Sequence, residues 1–114
     1  MNIKRGGIYL AALDPVMGKE ISKTRPVVVI SNDKNNEFSG TVTILPITSG
    51  NLAKIYPFET FLPKNSGGLP KDSKVKGDQI RTLDKSRLIR FLGVLDLEMI
   101  KRIEMALRIH LDLE

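Results

Sequence analysis

Up to residue 95 the apolar residues come in short alternating or β-branched runs, and after it they recur every three or four positions. GIYLAAL (7–13) follows two glycines and gives way to DPVMGKEISKT (14–24), with Pro, Gly and several charges; this predicts a strand and then a long loop. RPVVVIS (25–31) is β-branched, and TVTILPIT (41–48) alternates before a proline. Both read as strands, the second pairing near an edge or bulge, and NDKNNEFSG between them reads as a turn. YPFETFL (56–62) predicts another short strand, and PKNSGGLPKDS (63–73) a loop too long for a tight hairpin. KVKGDQIRT (74–82) and RLIRFLGVL (87–95) are the last strands, joined through LDKS as one helical turn.

From Asp96 the period changes. Leu97, Ile100, Ile103, Leu107 and Leu111 share one helical face, Asp96 is placed to cap the first turn, and Glu98 complements the helix dipole. Met99, Met105 and Ala106 widen that face, either as core or as a partner surface. The expected architecture is mainly β: a small curled sheet or barrel closed by a C-terminal helix, as one domain over 1–114.

Composition narrows the chemistry. At 114 residues, 41% hydrophobic and 27% charged, the chain has the balance of an ordinary folded domain. It contains no cysteine, so thiolate catalysis and Cys-bound zinc are excluded, and its one histidine, His110, cannot form an imidazole pair within the chain. A helix-end role is expected for it. No apolar run reaches membrane-span length and the N-terminus lacks a secretory h-region, so the expectation is a cytoplasmic protein with no membrane association. The net charge of +5 favours a polyanionic partner, without a basic tail to hold it.

Pro26 keeps Arg25 extended and the valines bury the strand beyond it, which holds the guanidinium at a strand entrance. For an arginine considered alone, a structural ion pair is the default reading. Thr48 and Ser49 close the second strand; if the two strands are antiparallel neighbours, Arg25 and Thr48 share a sheet edge. A guanidinium beside a hydroxyl suits a phosphate.

Three blocks, PVMGKEISKTRPVVVISND (15–33), ILPITS (44–49) and DSKVKGDQIRTLDKSRL (72–88), together resemble the signature segments of the MazF/PemK toxin endoribonucleases of bacterial toxin–antitoxin pairs. The resemblance implies an SH3-like barrel of CcdB/MazF type with a C-terminal helix, a homodimer, and metal-independent cleavage of single-stranded RNA without a cofactor. It makes Arg25 and Thr48 the catalytic pair. Glu20, Ser22, Lys23 and Asn32 of the first block, Ser49 of the second, and Ser73, Gln79 and Arg81 of the third become RNA-contact candidates, with Gln79 and Arg81 equally open to a bracing role. Cleavage would proceed by 2′-hydroxyl attack, leaving 2′,3′-cyclic phosphate and 5′-hydroxyl ends. A guanidinium is a poor base, so Arg25 is expected mainly to stabilise charge, with Glu20 a candidate base. Phe38, Phe58 and Phe61 are the candidate base-stacking aromatics, at least two of them expected in the core.

An antitoxin with an acidic flexible segment is the implied partner. The chain departs from the common pattern in lacking an early tryptophan and in carrying Gly77. Two other readings use the same fold: a gyrase poison, which in CcdB-like toxins relies on a tryptophan-bearing tail absent here, and an RNA-binding module without turnover.

Overall fold

The computed structural model describes residues 2–114. Its strands are β1 (Gly7–Ala12), β2 (Thr24–Val29), β3 (Thr41–Thr48), β4 (Glu59–Leu62), β5 (Ser73–Lys76), β6 (Arg81–Asp84) and β7 (Leu88–Val94); its helices are α1 (Asp33–Phe38) and α2 (Leu97–His110). They form one antiparallel sheet in the order β4-β5-β3-β2-β1-β7, with β6 also on β3. The sheet curls like a small barrel but stays open, leaving β4 and β7 as its outer edges.

Both faces of the central strands are covered. Val27, Val29 and Ile44 belong to one core cluster with Tyr9 and Leu83; Val28, Leu45 and Ile47 belong to another with Leu69 and Ile103. An unbroken β-branched run is what a strand buried on both sides requires, because residues pointing either way lose water. Each such side chain contributes about 1.5–3 kcal/mol on burial. On α2, Asp96 accepts the Met99 N–H at 2.8 Å, and Ile103 and Ala106 are buried. Leu97 and Leu111, expected on the apolar face, are exposed, as are Met105 and Ile109.

Three segments differ from the sequence expectation. The stretch after Asn32 is a short helix rather than a turn: Asn32 caps it by accepting the Asn35 N–H at 2.8 Å, and buried Asn36 ties it to Ser31. Its anchor is polar, so no apolar period announces it. The strand expected over 56–62 begins only at Glu59.

The strand expected over 74–82 is two strands on one neighbour. Ile47 faces Val75 whereas Ile44 faces Arg81, so residues 77–80 bulge from the ladder. Gly77 sits in that bulge because a Cβ there would run into the Phe58 carbonyl oxygen. Pro46 lies opposite, where a strand tolerates a residue without an N–H. The turn expected at LDKS is present as a 3-10 turn over Lys85–Arg87. Among the described residues no helix is long and apolar enough to cross a membrane.

Candidate active site

The β2–β3 register runs Val29 against Ile44 and Val27 against Pro46. Continued by two residues it brings Arg25 opposite Thr48. A cleft of about 190 Å³ opens at that end of the two strands, lined by Arg25, Thr48, Ser49, Lys71 and Ser73 together with Pro26, Ile47, Leu69 and Pro70.

Each group has a defined state. Arg25 Nε donates to the Ser22 carbonyl at 3.2 Å, and among the described residues its terminal nitrogens have no hydrogen-bond partner. A fork of donors therefore faces the cleft. Thr48 Oγ1 accepts the Gly50 N–H at 3.1 Å, which occupies a lone pair and leaves the hydroxyl hydrogen free to donate. Ser73 is buried and donates to the Lys71 carbonyl at 2.9 Å, so it shapes the wall. Among the described residues no carboxylate lines the cleft.

The remaining candidates are divided between this cleft and other places. Ser22 acts through its carbonyl on Arg25. Lys23 is exposed in a left-handed conformation (φ 68°); its N–H bonds Asp14 at 3.1 Å and its carbonyl bonds Leu13 at 2.9 Å, closing the neck of the 14–23 loop. Gln79 Oε1 accepts the Ile21 N–H at 2.8 Å, and Arg81 donates to the Leu13 carbonyl at 2.6 Å, so both brace that loop.

Glu20 accepts the Met17 N–H at 2.7 Å and lines a separate cleft with Asp78, Gln79 and Arg81, so the structure does not bring it to the Arg25–Thr48 cleft. Asn32, seven residues and roughly 23 Å along an extended chain from Arg25, is the α1 cap beyond the end of β2. The loop that the sequence joins to Arg25 thus folds partly away from it.

Behind Thr48 lies an ion-pair network that sequence reasoning missed. Thr48 pairs with Lys74, whose ammonium donates to the Asn51 and Lys54 carbonyls at 3.0 and 3.1 Å and to Glu59 at 3.0 Å. Lys76 holds the other Glu59 oxygen. Burial pushes the Glu59 carboxyl up, but hydrogen bonds from Lys76, the Tyr56 N–H and Lys74 outweigh it and leave the group below the usual carboxylate range. Burial likewise pulls Lys76 down, and its bond to Glu59 and the charges of Asp78 and Glu59 raise it overall. The alternation of Lys74 and Lys76 along β5 was the available signal.

Two of the three phenylalanines expected mostly in the core are exposed: Phe38 at 79% and Phe61 at 39%. Phe58 stacks on Tyr56 with centroids 5.4 Å apart, and His110, at the end of α2, lies 5.9 Å from Phe58. Among the described residues no group of three or more His, Asp or Glu side chains is placed to hold a metal ion.

A curled antiparallel sheet with a C-terminal helix and an arginine–hydroxyl cleft at a strand end defines a small, mainly β class of protein. Residues 4–111 match the family model described as PemK-like, MazF-like toxin of type II toxin-antitoxin system, and the chain belongs to that family. It is 46% identical to a protein named Endoribonuclease MazF from Staphylococcus epidermidis, over 97% of this chain and 92% of the relative. The fold superposes on the crystal structure of MazF from Deinococcus radiodurans with a TM-score of 0.84, at 28% identity and 99% coverage of both chains. It also matches a MazE–MazF structure from that organism, with a TM-score of 0.79, 26% identity, and coverage of 100% of this chain and 99% of the other.

Proposed function

We propose that this chain is an endoribonuclease toxin that cuts single-stranded RNA, without a metal, at the cleft between Arg25 and Thr48. The observation that carries the reading is a guanidinium fork and an available hydroxyl lining one cleft, with no carboxylate among the described residues that line it. The 46% identity to a protein named as an endoribonuclease supports the reaction class.

In the proposed reaction the RNA 2′-hydroxyl gives its proton to water as its oxygen attacks the adjacent phosphorus, and the bond from phosphorus to the 5′-oxygen breaks. The products are a 2′,3′-cyclic phosphate and a 5′-hydroxyl, whose oxygen takes up a proton. Arg25 neutralises the charge that builds on the nonbridging oxygens, and its planar donors suit two of them at once. Thr48 donates one more hydrogen bond and sets the phosphate's orientation. The braced 14–23 loop, with exposed Lys23 at its neck, guides the strand toward the cleft.

The same reading extends to the partners. The groove between α2 and β4, with exposed Phe61, Met105 and Ile109, supports a homodimer, checked by solution mass at micromolar concentration. An antitoxin with an acidic flexible segment would compete with RNA for the cationic cleft, and the MazE–MazF match supports such a partner.

The test is cleavage of a long single-stranded RNA in excess EDTA by wild type and Arg25→Ala, with end-group analysis. Cyclic-phosphate ends made only by wild type are expected. A folded wild type that leaves the RNA intact would overturn the enzymatic reading and favour RNA binding without turnover.

A further inference from the structure

We propose that Lys71 supplies a second cation to the phosphate held by Arg25, a role that rests on the reading of this cleft as the RNA site. A phosphodiester carries one negative charge in the ground state, and a second builds on the nonbridging oxygens as the 2′-oxygen adds. Arg25 alone balances the first. A second positive charge within the cleft favours the transition state over the bound substrate, which is what raises the rate. Lys71 lines the cleft with Arg25 and Thr48, and among the described residues its ammonium has no hydrogen-bond or ion-pair partner.

Lys71 belongs to the stretch read from sequence as the most loop-like in the protein, yet that stretch is pinned. Leu69 is buried in the second core cluster, and the Lys71 carbonyl accepts from Ser73 at 2.9 Å. Asp72, the neighbouring carboxylate, is engaged by the Lys64 N–H at 2.7 Å. Gly67 and Gly68, at φ of 53° and 79°, press against Ile8 and the Leu92 carbonyl with no room for a Cβ. Backbone anchoring on both sides keeps the lysine's attachment point at the cleft wall. The flexible stem then delivers a compact charge, complementary to the directional fork of Arg25.

The experiment measures kcat/KM for cleavage of a long single-stranded transcript across a potassium chloride series. The proteins are wild type, Lys71→Met, Lys71→Arg, Lys64→Met and Arg25→Ala, each checked for folding by circular dichroism. Lys71→Met is expected to lose about 10- to 100-fold, the scale of one hydrogen bond to a charged group. Its log–log salt slope should flatten by about 0.7, the value for one phosphate contact on a single strand. Lys71→Arg should keep the wild-type slope, and Lys64→Met, on the same loop but outside the cleft, should keep the wild-type rate. Wild-type cleavage by Lys71→Met, or a loss of rate with unchanged slope, overturns the proposal. Wild-type cleavage by Arg25→Ala would instead remove the cleft as the RNA site, and the proposal with it.

Discussion

Lys74 and Glu59 meet at 3.0 Å inside the protein, with side chains 3% and 0% exposed. The remaining Lys74 hydrogens go to the Asn51 and Lys54 carbonyls, so one buried ammonium ties the segment after Thr48 to β5. Removing Lys74 leaves Glu59 paired with Lys76 alone and strips the donor from the Asn51 and Lys54 carbonyls, at a cost of about 1–3 kcal/mol for the groups left unsatisfied. Lys74→Met should therefore lower stability by that order in urea unfolding, and slow cleavage by loosening the backbone around Thr48. A Lys74→Met/Glu59→Gln double variant should lose less than the two singles summed. Additive losses would show that the two groups act independently.

The same network sets a pH window for stability. Glu59 is held below its ordinary value, so its contribution is present above about 4.3 and is lost as pH falls through the folded value. Lys76 is raised, so its contribution is present below about 10.4 and is lost as pH rises through its folded value. Tm should be flat between these limits and fall on either side. Glu59→Gln should shallow the acid limb, and an unchanged limb would place its origin elsewhere.

Arg25→Lys keeps the charge and loses the fork. Cleavage should fall by about 10²–10³-fold, as for loss of a preorganised transition-state donor, with Tm close to wild type. Near wild-type turnover would rule out bidentate contact.

Gln79 distinguishes a brace from a base reader. Its amide oxygen accepts the Ile21 N–H, so Gln79→Leu should free the 14–23 loop and raise KM several-fold, for a hydrogen bond of about 1 kcal/mol. Gln79→Glu retains the acceptor and should behave like wild type. If the glutamate variant loses as much as the leucine variant, the amide touches RNA directly.

Gly77→Ala should destabilise the protein by about 1–3 kcal/mol, since the new methyl meets the Phe58 backbone rather than a movable side chain. Denaturant titration reads this directly; wild-type stability would mean that the bulge yields.

Local signals carried a large part of the structure. Asp96, the change of period after it, and the valine run each identify their element, because capping, amphipathicity and two-sided burial depend on near neighbours. That Arg25 and Thr48 line one cleft was legible for a related reason: antiparallel register brings one strand's start near the other's end. Helix α1 was not legible, since its anchor is a polar contact between Asn36 and Ser31 rather than an apolar face.

By itself, then, the sequence determined the central strands, the final helix and the family. Only the tertiary structure decided which candidates share the cleft. Glu20 and Asn32 are engaged elsewhere, by the Met17 N–H and as a helix cap, while Lys71 enters the cleft from a loop distant in the chain. A cleft wall is assembled from segments whose spacing along the chain says nothing of their separation in space, and burial of Leu69, Glu59 and Gly77 is what brings these segments together.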